Sequence, residues 1–203
     1  MAAELPALTT WVALTAGPLL AITCTSFTKI SIVLSALRVG LSEWLIPWSA
    51  VFALSLALTA VVMGPIALES LAAIDALGGI EGLTQGPGSA IQPVLAPLQG
   101  FLQRHADPGE LEFFTGLQGV GAEHPLALVP SFLITELGEA LQISLVVLVP
   151  FVLVDLIVAQ VLVLMGLTST QAQPLVSLPL KISLFMAIGG WDVIVRQLLE
   201  GYV

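Results

Sequence analysis

A chain of 203 residues that is 57% hydrophobic and only 9% charged, with a mean hydropathy of +1.04, lies far from the roughly half-apolar, quarter-charged balance of a water-soluble domain and reads as a membrane protein. Its 14 acidic and 5 basic residues leave a net charge of -9, which excludes the basic patch that binding to nucleic acid or to anionic lipid needs. The single cysteine, Cys24, excludes an internal disulfide and a thiolate metal cluster.

The first apolar block runs from Leu8 to Thr28 and is expected to continue as helix through "KISIVLSALR". "LAITC" has the look of a lipoprotein box, but the segment before it holds Glu4 and neither Lys nor Arg, which argues against a processed signal. The second block covers Trp44 to Leu68, and each block meets the ~20 residues of a bilayer span. Ser49, Ala53 and Ala57 fall four apart in it, a small-residue stripe of the kind that lets helices approach closely, within a chain or between chains.

From Glu69 to Pro130 the composition turns to Gly, Pro, Gln and acid, and "LGGIEGLTQGPGSAIQP" reads as loop. Beyond it, Ile91, Val94, Leu95, Leu98, Phe101 and Leu102 recur at the spacing of one helix face. "DPGE" then places Asp107 as an N-cap, Pro108 in the first turn and Glu110 at the capping-box position of a short acidic helix, "ELEFFTGL". The acidic polar face suits packing on the protein itself better than anchoring to a membrane surface. Two more apolar blocks follow, Leu141 to Leu167 and Leu175 to Val195. The expected fold is all-α and of the integral membrane type, divided into an N-terminal helix pair over 1–68, a polar helical insert over 69–130 and a C-terminal hairpin over 131–203.

Lys29 and Arg38 lie between the first two blocks, whereas Arg104 is the insert's lone Lys or Arg. The first loop is therefore expected on the cytoplasmic side and the insert outside. Pro18, Pro47, Pro65, Pro150 and Pro179 interrupt the blocks. Each removes a backbone donor and frees a carbonyl, a pattern tolerated where protein or a water-filled cavity surrounds the helix.

The chemistry of an enzyme is not visible. His105 and His124 are isolated, no Gly-rich phosphate loop follows a strand, and no Ser or Cys sits in a nucleophile elbow. No cofactor or metal is implied. The outliers are Lys29, Asp155, Lys181 and Asp192, charges within apolar sequence that need a partner, a cavity or a function. Asp155 and Lys181 flank "TSTQAQP" at depths that differ by roughly 7 Å at 1.5 Å per residue, within reach of long side chains, and Asp192 would lie deeper again. Lys181 is the best partner for Asp155 by spacing. A carboxylate held by backbone that Pro150 frees, or by another cation such as Lys29, is the alternative.

"TSFTKISIVLSALR" at 25–38, "LVPSFLITELGEALQISLVVLVPFVLVDLIVAQVLVLMGL" at 128–167 and "VSLPLKISLFMAIGGWDVI" at 176–194 resemble, in order and spacing, the signature blocks of the FliP/SctR family of bacterial type III export-apparatus proteins. "FLQRHADPGELEFF" resembles that family's polar helix. The resemblance implies a subunit of a pentameric ring in the bacterial inner membrane. With the Q and R subunits the ring builds a helical gate at the centre of the secretion basal body, through which unfolded substrate proteins pass. It further implies spans packed largely against neighbouring subunits, contact of Asp155 with Lys181 within one chain or between adjacent ones, and a pore constriction at Met165, Gly166, Leu167 and Thr168.

Two departures stand out. Many members carry a run of methionines in that turn, where this chain reads "LMGLTSTQAQP"; and "SFLITELGEALQIS" holds Glu139 and no cation where basic residues are common. A short chain without a recognisable signal peptide leans towards the injectisome branch rather than the flagellar one. The rival expectation is a small secondary transporter or proton channel with Asp155 as carrier carboxylate, which discontinuous helices and a midplane acid would suit; a structural membrane subunit without a conduit is a third.

Overall fold

The computed structural model describes residues 22–79, 91–167 and 172–202, and the regular structure among them is helical. Seven helices follow one another: α1 (Phe27–Leu41), α2 (Trp48–Ala76), α3 (Gln92–His105), α4 (Pro108–Gln118), α5 (Pro125–Leu164), α6 (Ala172–Ala187) and α7 (Gly190–Glu200). The all-α expectation holds. Most of the first apolar block lies outside the described residues. Its end is not continuous with α1, because residues 24–26 form a turn. Hydroxyl side chains compete for backbone there: Thr28 donates to the Ile22 carbonyl at 2.9 Å, and Thr25 Oγ1 accepts from the Phe27 N–H at 3.4 Å.

The described residues fall into two compact units, 22–28 with 59–137 and 29–58 with 138–202. In the first, the buried residues include Phe101, Leu102, Ala127, Leu128 and Phe132, and the Phe101 and Phe132 rings meet at 5.6 Å between centroids. Asp107 caps α4 as its sequence requires, its carboxylate accepting from Gly109 N–H at 2.8 Å and Glu110 N–H at 3.2 Å. The Asp107 N–H, to which a capping box would turn the Glu110 carboxylate, instead donates to Thr135 Oγ1 on α5 at 2.8 Å. That bond ties the short helix to the long one. The loop expected around residues 80–90 lies outside the described residues.

The second unit has the larger core. Ile30, Val33, Leu34, Leu37 and Leu41 form one face of α1 and pack with Val51, Ala140, Val147, Phe151, Phe185, Ile194 and Leu198. Each fully buried aliphatic side chain contributes about 1.5–3 kcal/mol. At Gly40 an added Cβ would stand 2.6 Å from the Phe151 ring, so the missing side chain lets α5 approach α1 closely.

α2 and α5 are long and apolar enough to cross a membrane, and the pair α6 and α7, bent by 60°, passes the same test when taken as one broken span. The fourth apolar block is thus two helices. Gly189 at φ 64° makes the bend, a conformation that non-glycine residues adopt only at a cost. α5 absorbs the end of the polar insert into one helix of 40 residues. At 1.5 Å per residue it measures about 60 Å, twice the roughly 30 Å of a hydrocarbon core. The expected divisions at residues 68 and 130 both fall inside helices. On α2 the buried residues are Val51, Ser55 and Thr59, whereas the small stripe Ser49, Ala53 and Ala57 is exposed.

Candidate functional site: a buried ion pair beside the α5–α6 turn

α5 carries Asp155 and α6 carries Lys181, and the two meet: Lys181 Nζ lies 2.6 Å from Asp155 Oδ2. Lys181 is buried, while about a third of the Asp155 side chain remains accessible. Gln173, in the first turn of α6, donates from Nε2 to the Asp155 carbonyl at 3.4 Å. The pair borders a cleft of about 270 Å³ to which Ser42, Gln173 and Ser177 also contribute polar groups. A carboxylate held by an ammonium in this way is a fixed dipole between two helices. Breaking one partner leaves the other charge poorly compensated, while replacing both with apolar groups can be nearly neutral.

The remaining charges found in apolar sequence do not join this cluster. Lys29 is buried in α1, where its ammonium is paired with the Glu139 carboxylate of α5 and lies 4.5 Å from the centre of the Tyr202 ring. Asp192 sits on an exposed face of α7 and takes both its oxygens to Arg196 Nε at 2.8 Å, one helical turn on. The sequence marks neither Glu139 nor Tyr202 as a partner of Lys29. Glu139 was visible only as an acid at a position where basic residues are common. Tyr202 gave no signal, because a contact 173 positions away has no local pattern.

At the turn, α5 ends in a Schellman arrangement. Gly166 adopts φ 76°, its N–H donates to the Val163 carbonyl at 3.0 Å, and the Leu167 N–H donates to the Leu162 carbonyl at 2.8 Å. This cap holds Met165, Leu167 and the preceding Leu164 outward: Met165 is 69% exposed and Leu164 87%. Thr168 lies outside the described residues.

A profile of the FliP family matches residues 10–198. The chain belongs to the FliP family. It is similar to the "virulence protein YscR" of Salmonella typhimurium, at 29% identity over 91% of this chain and 90% of that protein. The "flagellar biosynthetic protein FliP" of Caulobacter vibrioides is 32% identical over 93% of this chain and 73% of the relative. The "harpin secretion protein HrcR" of Erwinia amylovora is 29% identical over 94% and 93%. This FliP-family chain therefore has relatives named for virulence, for flagellar biosynthesis and for harpin secretion, and nearly its whole length takes part in the match.

Proposed function

We propose that this chain is a core subunit of a type III protein export gate, assembling as a homo-oligomer, a pentamer by family resemblance, with Q- and R-type subunits in the bacterial inner membrane. The observation that carries the reading is the family match from residue 10 to residue 198, which takes in the helices with Asp155, Lys181 and the turn between them. Unfolded substrate proteins pass through the ring, and Met165, Gly166, Leu167 and Thr168 form its constriction. Apolar, outward-held side chains at Leu164, Met165 and Leu167 support that assignment, since a ring of such groups closes a pore by excluding water. The insert faces out of the cytoplasm, an orientation supported by Lys29 and Arg38. The Asp155–Lys181 pair fixes the hairpin that presents the turn.

A carrier carboxylate needs freedom to exchange its proton, and Asp155 is engaged by Lys181; this weighs against the transporter reading. Charge exchange tests the proposal. Asp155→Lys and Lys181→Asp should each lower the yield of assembled complex and secretion, by an amount corresponding to about 3 kcal/mol in the hairpin, at the lower end for a pair that is part-exposed. The double exchange should recover part of both. Normal assembly and secretion by Lys181→Ala would remove the ion pair from the mechanism.

A further inference from the structure

Residues 42–47, the turn between α1 and α2, together with the first helical residue Trp48, carry an aromatic chemistry that the export reading leaves unused. The turn is built rigidly. Arg38 donates from Nε to the Ile46 carbonyl at 2.8 Å and from Nη2 to the Glu43 carbonyl at 3.3 Å, and its guanidinium lies 4.5 Å from the centre of the Trp48 ring. Backbone bonds from Leu45 N–H to the Ser42 carbonyl at 3.2 Å and from Val51 N–H to the Pro47 carbonyl at 3.3 Å close the loop. Out of this fixed turn stands Trp44, 97% exposed.

An indole held out by a rigid turn presents a large apolar ring together with an N–H that needs an acceptor, and it has a limited choice of surroundings. The side chains that follow decide among them. Trp44, Trp48, Phe52 and Leu56 succeed one another at intervals of four, and the last three are each more than half exposed. On α2 that interval keeps Trp48, Phe52 and Leu56 on one face. Polarity falls in one direction along it, from two indoles to a phenyl ring to an aliphatic chain, over about 12 Å from Trp48 to Leu56. Tryptophan concentrates at the headgroup level of a bilayer, and fully apolar side chains below it. A protein-binding hot spot, by contrast, clusters its aromatic anchors at the centre of a patch.

From this gradient we infer that residues 42–48 lie at the headgroup level of a phospholipid bilayer, anchored by Trp44 and Trp48, with Phe52 and Leu56 in the acyl region beneath. The anchor is aromatic rather than electrostatic, because the Arg38 charge is spent inside the turn on two carbonyls, on the Trp48 ring and on Glu43, whose carboxylate is 3.7 Å away. Zwitterionic lipid is therefore sufficient. The inference rests on α2 lying in lipid and is indifferent to what the assembled complex transports.

Depth-resolved fluorescence quenching tests it on the full chain reconstituted in phosphatidylcholine vesicles, with bromine placed near the headgroup or near the chain ends. One variant keeps Trp44 alone, with Trp11→Phe, Trp48→Phe and Trp191→Phe. A second keeps Trp48 alone and carries the same test should the first fail to fold. In a third and a fourth, all four tryptophans are Phe, and a single indole enters as Leu56→Trp or as Leu153→Trp, an exposed position on α5. Trp44 and Trp48 should lose emission mainly to shallow bromine and Leu56→Trp mainly to deep bromine, with no further loss when anionic lipid is added. Quenching of Leu153→Trp with none of Trp44 or Trp48 would overturn the anchor while leaving α5 in lipid, and would place the turn out of the bilayer, in water or against protein. Absence of quenching at all four positions would overturn the anchor and the membrane reading together.

Discussion

Lys29 shows how much a single buried charge can demand of a fold. Its ammonium sits in the apolar second unit, and groups far from it in sequence come to it, among them the Glu139 carboxylate and the Tyr202 ring. A cation over an aromatic face gains about 0.5 kcal/mol when exposed and about 2 kcal/mol or more when desolvated, whereas a carboxylate also neutralises its charge. Glu139→Gln should therefore destabilise the chain more than Tyr202→Leu does, by about 3 kcal/mol against about 1 kcal/mol, measured as chemical denaturation in detergent followed by circular dichroism. Equal losses would mean that the Glu139 carboxylate is not the principal partner of Lys29. Lys29 was legible in the sequence as a charge in need of a partner, because cations are rare in apolar runs. Its partners were not, since neither lies within a helical turn of it.

Among the elements, the break between α6 and α7 has the clearest cause. Gly189 takes a left-handed conformation, and a Cβ on Gly190 would collide with the Phe185 ring; that ring also meets Trp191 edge-on, with centroids 5.4 Å apart. Gly190→Ala must push the ring aside, and overpacking of that kind costs typically 1–3 kcal/mol. The expected outcome is a chain of lower melting temperature whose α7 no longer packs Ile194 and Leu198 into the core, read by slower-to-faster change in amide exchange over 190–200. The double glycine was visible in the sequence; that it produces a 60° bend was not, because glycine permits many backbone angles and does not select one. The insert offers a second prediction at this scale. Glu123, exposed between α4 and α5, should, as Glu123→Cys, react with a membrane-impermeant thiol reagent added from outside. Cys24 is buried and contributes little background. Reaction only after the inner membrane is breached would reverse the proposed orientation.

At the scale of the whole molecule, the second unit's core accounts for one face of α1 and a few positions on α2 and α5, while long apolar stretches of both helices face away from their own chain. Single apolar side chains on a surface are ordinary, but continuous apolar helix surface requires lipid or neighbouring subunits to cover it. If the α5–α6 turn closes the gate, Leu167→Gly with Thr168→Gly should raise small-ion leakage through the assembled complex, while Ser169→Met with Thr170→Met lowers it. Leu167 is exposed, and the yield of complex should be unchanged by either pair. Planar-bilayer conductance reads the result, and identical currents in all three forms would place the constriction elsewhere.

The sequence by itself determined the all-helical, membrane-type class, the long helices, the capped acidic helix at Asp107 and the membership of a family, because hydrophobic runs, proline and glycine positions and cap residues act within a few residues of where they stand. It also named Asp155 and Lys181 as a pair, since the short turn between two apolar helices constrains their relative depth. The Asp192–Arg196 pair, four residues apart on one helix, lay within that same local range. Only the tertiary structure decided that Lys29 meets Glu139 and that it meets Tyr202. Those outcomes depend on which helix faces meet in space, and side-chain packing at long sequence separation leaves no periodic trace in the chain.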